Sequence, residues 1–321
     1  MNPVGTSSVA FVTLSGLFWG GWLIGSQTPQ GQEALARAYA MYSAEAQAES
    51  DLFSPDALRA LVCGVDGAPG KAAVKPCLAV AAAGRLFLVD AGSGAALALE
   101  NKSVSLTRLE AVLLTGADPV RAADLDELWV NASTVRGART LPVYGPADSY
   151  PLVEGLNLAM SARGGKAGLE AWAPAPEPDA PVIVFEGDGL TVVAFTTQED
   201  AHEGRVGYRF DYRGRSLVVA GDGRAEWSDA AGDADVVLHG AKSEMLAELH
   251  TRDAAPHSLF DMRRFSQGPG SLVLTEANTN PVMAQLQQRE ASVSGRGVVA
   301  GKPGMVVELP LTTRDVRVRP L

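Results

Sequence analysis

The chain begins with a long apolar stretch that carries no charge. Residues Val9 to Gly25 read VAFVTLSGLFWGGWLIG, and the first ionisable side chain belongs to Glu33. About 18 to 20 apolar residues, each rising about 1.5 Å, cross the hydrocarbon core of a bilayer. The pattern predicts a transmembrane helix within residues 1–26. A cleaved signal peptide fits less well, because no lysine or arginine precedes Arg37 to form a basic leader.

Two further patterns surround this stretch. Gly16 and Gly20 have the GxxxG spacing that lets a partner helix approach closely, although glycine is also common in membrane helices for other reasons. Within residues 27–57 a polar break precedes an Ala-rich segment, Glu33–Glu49. Its apolar side chains recur at i, i+4 and i+7, which predicts an amphipathic stalk helix, and they are Leu35, Tyr39 and Tyr42.

From residue 58 onward the pattern changes to short apolar runs that are separated by turns. Glu110–Leu114 is an apolar strand, Ala123–Leu128 is an acidic helix start, and the loop Thr115–Arg121 joins them. The 34 glycines and 19 prolines of the 321 residues suit many short strands joined by turns. Periodicity alone therefore predicts a mixed α/β domain over residues 58–321.

Five segments of this domain occur in an order that is typical of one family. They are Arg85–Gly94 with its DxGxG-like turn, Leu113–Thr115, the strand pair Val206–Phe210 and Ser216–Asp222, then Asp235–His239 and Leu272–Glu276. Over residues 58–310 the chain thereby resembles the metallo-β-lactamase superfamily, most closely its membrane-anchored branch related to tRNase Z. The resemblance implies an αββα four-layer sandwich, with two mixed β-sheets face to face and helices outside. Strands of residues 58–115 then form the first half, those of 182–275 most of the second, and Val306–Leu309 closes it.

The same resemblance locates the family's metal-binding positions. They fall on Gly116, Asp118, Val120, Arg121, Glu199, Asp222 and Glu276, and a shifted loop would bring Asp200 or His202 to the Glu199 position. Only Asp222 keeps the family's residue. Hydrolytic zinc is held by imidazole, thiolate and a few carboxylates, whereas the guanidinium of Arg121 stays protonated and repels a dication.

A vestigial site with no metal and no other cofactor is therefore expected. Arg121 is predicted to lie among the carboxylates of Asp118, Asp222 and Glu276 and to supply the positive charge that a metal would otherwise bring.

Net charge changes the functional expectation. The chain carries a formal charge of −10, which disfavours a surface built to neutralise phosphates. The region Pro151–Pro181, where RNA-processing members of the family carry a basic arm, has few basic residues. These observations predict that the protein has no nucleic-acid partner.

The two cysteines bear on the compartment. Cys63 ends the first predicted strand of the domain and Cys77 begins the second, so an antiparallel pairing brings them together. A disulfide there would stabilise the fold by about 3 kcal/mol and requires an oxidising compartment, which favours a periplasmic domain. Two buried free thiols are the alternative.

Three functions follow from these expectations. The first is a pseudoenzyme, a single-pass membrane protein that binds other membrane subunits as an accessory or scaffold subunit of a respiratory, photosynthetic or envelope complex. The second is a hydrolase of altered chemistry, in which Asp118, Asp222, Glu276 and Glu199 hold a hard cation such as Mg²⁺. The third is a module that binds a small anion through Arg121.

Overall fold

In the computed structural model the chain forms two units, Met1–Ser50 and Asp51–Leu321. The residues that the structure describes are 28–34, 36–37, 51–64, 75–136, 140–161, 168–174, 176, 180–197, 205–221, 233–240, 271–274 and 298–321. No helix within these ranges is long and apolar enough to cross a bilayer. The predicted span at residues 9–25, with Gly16 and Gly20, lies outside them.

The described part of the first unit is helical at residues 29–34 and 36–37. This helix begins earlier than the predicted start at Glu33, because Thr28 caps it: the Thr28 hydroxyl accepts a hydrogen bond from the Gly31 amide at 3.0 Å. Pro29 then takes the first helical position, where its fixed φ and missing N–H cost nothing. Residues 38–50 of the predicted stalk lie outside the described ranges.

The second unit contains two mixed β-sheets. The first has the strand order β15-β14-β1-β2-β3-β4-β5-β6. Its strands are β1 (Ala57–Val62), β2 (Cys77–Ala82), β3 (Arg85–Ala91), β4 (Leu109–Leu113), β5 (Leu141–Tyr144), β6 (Leu169–Trp172), β14 (Met305–Pro310) and β15 (Arg317–Pro320).

The second sheet has the order β13-β12-β11-β10-β9-β8-β7. Its strands are β7 (Val182–Gly187), β8 (Leu190–Thr196), β9 (Val206–Tyr212), β10 (Arg215–Val219), β11 (Val236–His239), β12 (Ser271–Leu274) and β13 (Val298–Ala300). The helices of this unit that the structure describes from end to end are α1 (Ala95–Glu100), α2 (Pro119–Ala122), α3 (Leu125–Arg136) and α4 (Ser149–Ser161), with a 3₁₀ turn at Leu106–Arg108.

Both faces of the first sheet are buried, which explains why its central strands are apolar at every position rather than at alternate ones. Leu61 and Leu88 pack beneath α1, α3 and α4 on the outer face. Leu58 and Phe87 face the second sheet in the inner core. The predicted mixed sheets packed face to face are confirmed, and the described elements form three layers: helices, first sheet and second sheet.

The first sheet is larger than its predicted half. β5 and β6 extend it beyond residue 115 through the crossover helices α2, α3 and α4, as parallel strands require. These two strands are four residues long and only partly buried, so their apolar pattern is weak. The predicted closing strand lies within β14, which pairs with β1 in the first sheet.

One end of the sandwich collects the ends of many strands, and we call it the β3–β6 edge. β3, β4, β5 and β6 are mutually parallel, so their carboxyl ends meet there. β2 begins at the same edge, where a disulfide joins Cys77 to Cys63. From the second sheet β9 begins there, because the Val206 amide donates to the Thr115 carbonyl just beyond β4.

Candidate functional site

The loop that follows β4 folds around a buried aspartate from the neighbouring strand. Asp90, near the carboxyl end of β3, is 4% exposed and has a φ of 57°, a conformation that costs a non-glycine residue energy. Its carboxylate accepts hydrogen bonds from the Thr115 amide and the Thr115 hydroxyl, each at 2.8 Å. Backbone strain next to a loop at the β3–β6 edge marks this position as a candidate site.

Arg121 completes the cluster from the end of the same loop. Its Nη1 donates to Asp90 Oδ2 at 2.7 Å and to Thr115 Oγ1 at 2.8 Å. Its Nε donates to Asp118 Oδ2 at 2.8 Å. The Arg121 side chain is 5% exposed and that of Asp118 is 43% exposed, so a buried guanidinium links an interior carboxylate to a solvent-facing one.

Burial and charge act against each other at Asp90. Burial raises the pKa of Asp90, while the Arg121 charge and the hydrogen bonds from Thr115 oppose the rise. Burial also raises the pKa of Tyr208 well above its usual range, and the nearby Asp90 adds to that rise, so the phenol stays protonated and donates.

Two residues in or just beyond the second sheet contact the start of the Thr115–Arg121 loop. Tyr208 of β9 donates its hydroxyl proton to the Leu114 carbonyl at 2.9 Å. Gly221, just beyond β10, has a φ of 62°, and a Cβ there would lie 2.9 Å from Thr115 Oγ1. Glycine is needed at that position for both reasons. The first turn of the loop is therefore fixed by both sheets.

Gly116 leaves room for the ion pair between Arg121 and Asp118. A Cβ at Gly116 would lie 3.2 Å from Asp118 Oδ2 and 3.3 Å from Arg121 Nε. A larger side chain at this position would press on the ion pair. Gly116 and Arg121 therefore fit each other as parts of one arrangement.

The described loop lacks the side chains that the zinc site implied by the family resemblance would need. Gly116 has no side chain, and Val120 is 51% exposed and apolar. Arg121 is a permanent cation in the interior. Of the four loop positions only Asp118 offers a ligand, and no cluster of three or more metal-binding side chains occurs among the described residues. The donor set of the described loop does not fit zinc.

The structure brings together part of the predicted site. Asp118 and Arg121 are paired, as predicted, but Val120 faces solvent and takes no part. The remaining predicted positions, together with the two alternatives to Glu199, lie outside the described residues: Glu199, Asp200, His202, Asp222 and Glu276.

Sequence reasoning missed the principal partner of Arg121. Asp90 was visible as the aspartate of the DxGxG-like turn, but its separation of 31 residues from Arg121 carries no pairing signal. Thr115 and Tyr208 were likewise not predicted as site residues. A single acidic residue near the end of an otherwise apolar strand is the feature that could have indicated Asp90.

Cationic residues also lie along this edge. Lys75, two residues before β2, donates to Ser93 Oγ at 3.1 Å, in the turn that follows β3. Arg205 immediately precedes β9, whose first residue, Val206, donates its amide to the Thr115 carbonyl. The edge therefore holds Lys75 and Arg205 in addition to Arg121 and its carboxylates.

Comparison with solved structures identifies the fold. The metallo-β-lactamase fold protein YhfI of Bacillus subtilis matches with a TM-score of 0.58 and 21% identity, over 79% of this chain and 100% of YhfI. The chain has the metallo-β-lactamase fold. The short form of human tRNase Z matches this fold with a TM-score of 0.58 and 17% identity, over 78% of this chain and 99% of the neighbour.

Sequence comparison finds more similar relatives over a shorter stretch. A ribonuclease Z of Mycobacterium avium (strain 104) is 30% identical over 159 residues, which are 46% of this chain and 56% of the relative. The match thus spans little more than half the length of that relative. No family model matches the chain.

These comparisons correct the functional predictions. The relatives carry the name of an enzyme, and that enzyme is a ribonuclease. The predictions of a pseudoenzyme, of a scaffold subunit among membrane subunits, and of no nucleic-acid partner are therefore wrong. The charge argument failed because a net value averages the whole surface, whereas charges in solution interact over about 8 to 10 Å. The ligand argument failed because the loss of zinc ligands from one loop does not exclude catalysis by other groups.

Proposed function

We propose that the protein is a hydrolase of phosphodiesters in RNA, with its reaction site at the β3–β6 edge. The ribonuclease Z relatives support the substrate class. The observation that carries the location is the strained, buried Asp90 that holds the Thr115–Arg121 loop through Arg121. This loop presents one solvent-facing carboxylate, that of Asp118.

Asp118 is the proposed catalytic residue among those that the structure describes. Its Oδ2 is held by Arg121 Nε while the side chain remains 43% exposed, so the carboxylate is oriented and open to water. In the proposed step, a water oxygen attacks phosphorus and its proton passes to the Asp118 carboxylate. The bond from phosphorus to the leaving ribose oxygen breaks, and that oxygen takes a proton from solvent.

Arg121 is a positioning residue in this scheme. It is buried, and its guanidinium holds Asp118 through Nε and Asp90 through Nη1. A fixed carboxylate needs no reorganisation when the substrate arrives, which is how enzymes lower the cost of reaching the transition state. No step of the scheme uses zinc, because the donor set of the loop does not fit it.

The cationic side chains at the β3–β6 edge are proposed to bind the phosphates of RNA. Lys75 and Arg205 belong to the same edge as Asp118, and we assign to them the contacts with the phosphodiester backbone. Binding through such contacts weakens as salt rises, because counterions released from RNA return to it.

Cleavage of a 5′-labelled single-stranded RNA tests the proposal. We expect the wild-type protein to release shorter labelled products, and Asp118→Asn to slow this at least about 100-fold. Asp56→Asn is the matched control, because Asp56 also pairs with an arginine three residues on, at the opposite end of the sandwich. It should cleave like the wild type. Variants purified side by side also reveal any contaminating nuclease, since equal cleavage by both variants and wild type would contradict the proposal.

A further inference from the structure

Two aromatic side chains stack at the outer part of the β3–β6 edge. Tyr144 ends β5 and Trp172 ends β6, and the two residues are register partners on adjacent parallel strands. Their ring centroids are 6.4 Å apart and their planes differ by 24°. Trp172 is 48% exposed, a large apolar surface to leave in water.

The pair is fixed to the strand that carries the candidate site. The Leu114 amide donates to the Tyr144 carbonyl at 2.7 Å, and the Gly145 amide donates to the Trp172 carbonyl at 3.0 Å. Thr115, which bonds Asp90, directly follows Leu114. One strand therefore separates the end of β4 from Trp172, a lateral distance of about 10 Å at the usual strand spacing.

Among the strands that the structure describes, the second sheet ends at β7. Its edge strand β7 contacts the first sheet through Phe185, whose ring centroid lies 5.1 Å from that of Phe87 on β3. The first sheet then continues for three more strands, to β6. Tyr144 packs against the inner core, whereas nearly half of the Trp172 surface remains exposed.

We infer that Tyr144 and Trp172 form a stacking platform for a nucleobase of single-stranded RNA bound at the β3–β6 edge. This inference rests on the proposed function and adds a binding site for the base to the site for the phosphate. Every base has a π-face, so a platform of this kind binds single-stranded RNA by stacking, without sequence preference. The lateral distance of about 10 Å between Trp172 and the end of β4 suits a nucleotide close to the proposed reaction site. Glu170, two residues before Trp172, adds a carboxylate beside the platform that disfavours a phosphate there.

The test compares two ligands that differ only in their bases: a single-stranded RNA and an abasic oligonucleotide of the same length. We expect the wild type to bind the RNA at least about fivefold more tightly, in line with the energy of one base on one aromatic ring. Trp172→Ala should remove this preference and leave the affinity for the abasic strand unchanged, while Trp172→Phe should keep most of it. Ile183→Ala is the control, since Ile183 is 58% exposed on β7.

The outcomes separate this inference from the proposed function. Equal binding of both ligands by the wild type would overturn the platform and leave the phosphodiester site standing. No binding of either ligand would overturn both. If Trp172→Ala instead abolished self-association of the protein and left the base preference intact, the surface would belong to a second copy and the inference would fail.

Discussion

Two buried arginines occupy opposite ends of the same sandwich, and their surroundings differ in an informative way. Arg121 lies at the β3–β6 edge and pairs with Asp90 and, three residues back, with Asp118. Arg59 lies on β1 and pairs with Glu308 at 2.9 Å and, three residues back, with Asp56 at 2.8 Å. Their side chains are 5% and 4% exposed.

The partners of the two arginines distinguish a site from a structural support. Glu308 is the register partner of Arg59 in a regular antiparallel pair, and Arg319 also reaches it at 3.2 Å. Asp90 instead sits in a strained conformation at a strand end, beside a loop. A buried ion pair alone therefore does not mark function. Its position at an edge of the sheet and the strain beside it do.

The largest expected effect is that of Arg121→Met. This variant leaves the Asp90 carboxylate buried without the cation that pairs with it, which should lower the free energy of unfolding by about 3 to 5 kcal/mol. Arg59→Met should cost less, about 1 to 3 kcal/mol, because Arg319 still pairs with Glu308. Denaturant unfolding of both variants measures the difference, and a larger loss for Arg59→Met would reverse the comparison.

A double-mutant cycle isolates the ion pair itself. Asp90→Asn combined with Arg121→Met should cost clearly less than the sum of the two single changes, with a coupling energy of about 2 to 3 kcal/mol. The parallel cycle of Glu308→Gln with Arg59→Met should give about 1 kcal/mol, since Glu308 is shared with other arginines. Equal coupling in the two cycles would mean that Asp90 depends on Arg121 no more than Glu308 depends on Arg59.

Two tyrosines on β9, one near Arg121 and one near Arg59, should each make a smaller contribution to the unfolding free energy. Tyr208 donates to the Leu114 carbonyl beneath the loop, and Tyr212 donates to the Pro55 carbonyl beside the Arg59 cluster at 3.0 Å. Each Tyr→Phe change should lower the unfolding free energy by about 1 kcal/mol. RNA cleavage should fall only in Tyr208→Phe. Impaired cleavage in Tyr212→Phe would show that general loss of stability, rather than the loop, controls activity.

The smallest stability effect belongs to the solvent-facing carboxylates. Asp118→Asn and Asp56→Asn should each change the unfolding free energy by less than about 1 kcal/mol at pH 7. Hydrogen bonds from Arg59 and Ser54 lower the pKa of Asp56, so its contribution is present above about pH 4 and is lost as the pH falls through the lower folded value. Unfolding of Asp56→Asn between pH 2 and 7 should therefore depend less on pH than that of the wild type.

Local sequence patterns predicted what depends on neighbours in the chain. The short apolar runs indicated a mixed α/β domain, and the three-residue spacing of Asp118 and Arg121 allowed their pairing. The pairing of Arg121 with Asp90 depends on the placement of β3 beside β4. No spacing rule reports such a contact.

The aromatic pair shows the same limit more sharply. Tyr144 and Trp172 meet only because β5 and β6 align in register, and both strands are too short and too little buried to be predicted from periodicity. For charge, the total was known from the sequence but its distribution over the surface was not. The value of −10 was known from composition, but the placement of Lys75 and Arg205 at one edge required the fold.

The rate at which Arg121→Lys cleaves single-stranded RNA, beside that of Arg59→Lys, tests the central claim most directly. Lysine keeps each charge but cannot hold two partners in the planar geometry of a guanidinium. If the Arg121 cluster organises the site, Arg121→Lys should lower the cleavage rate at least about tenfold, whereas Arg59→Lys should stay within about twofold of the wild type. Equal changes in the two variants, or none in Arg121→Lys, would contradict the account.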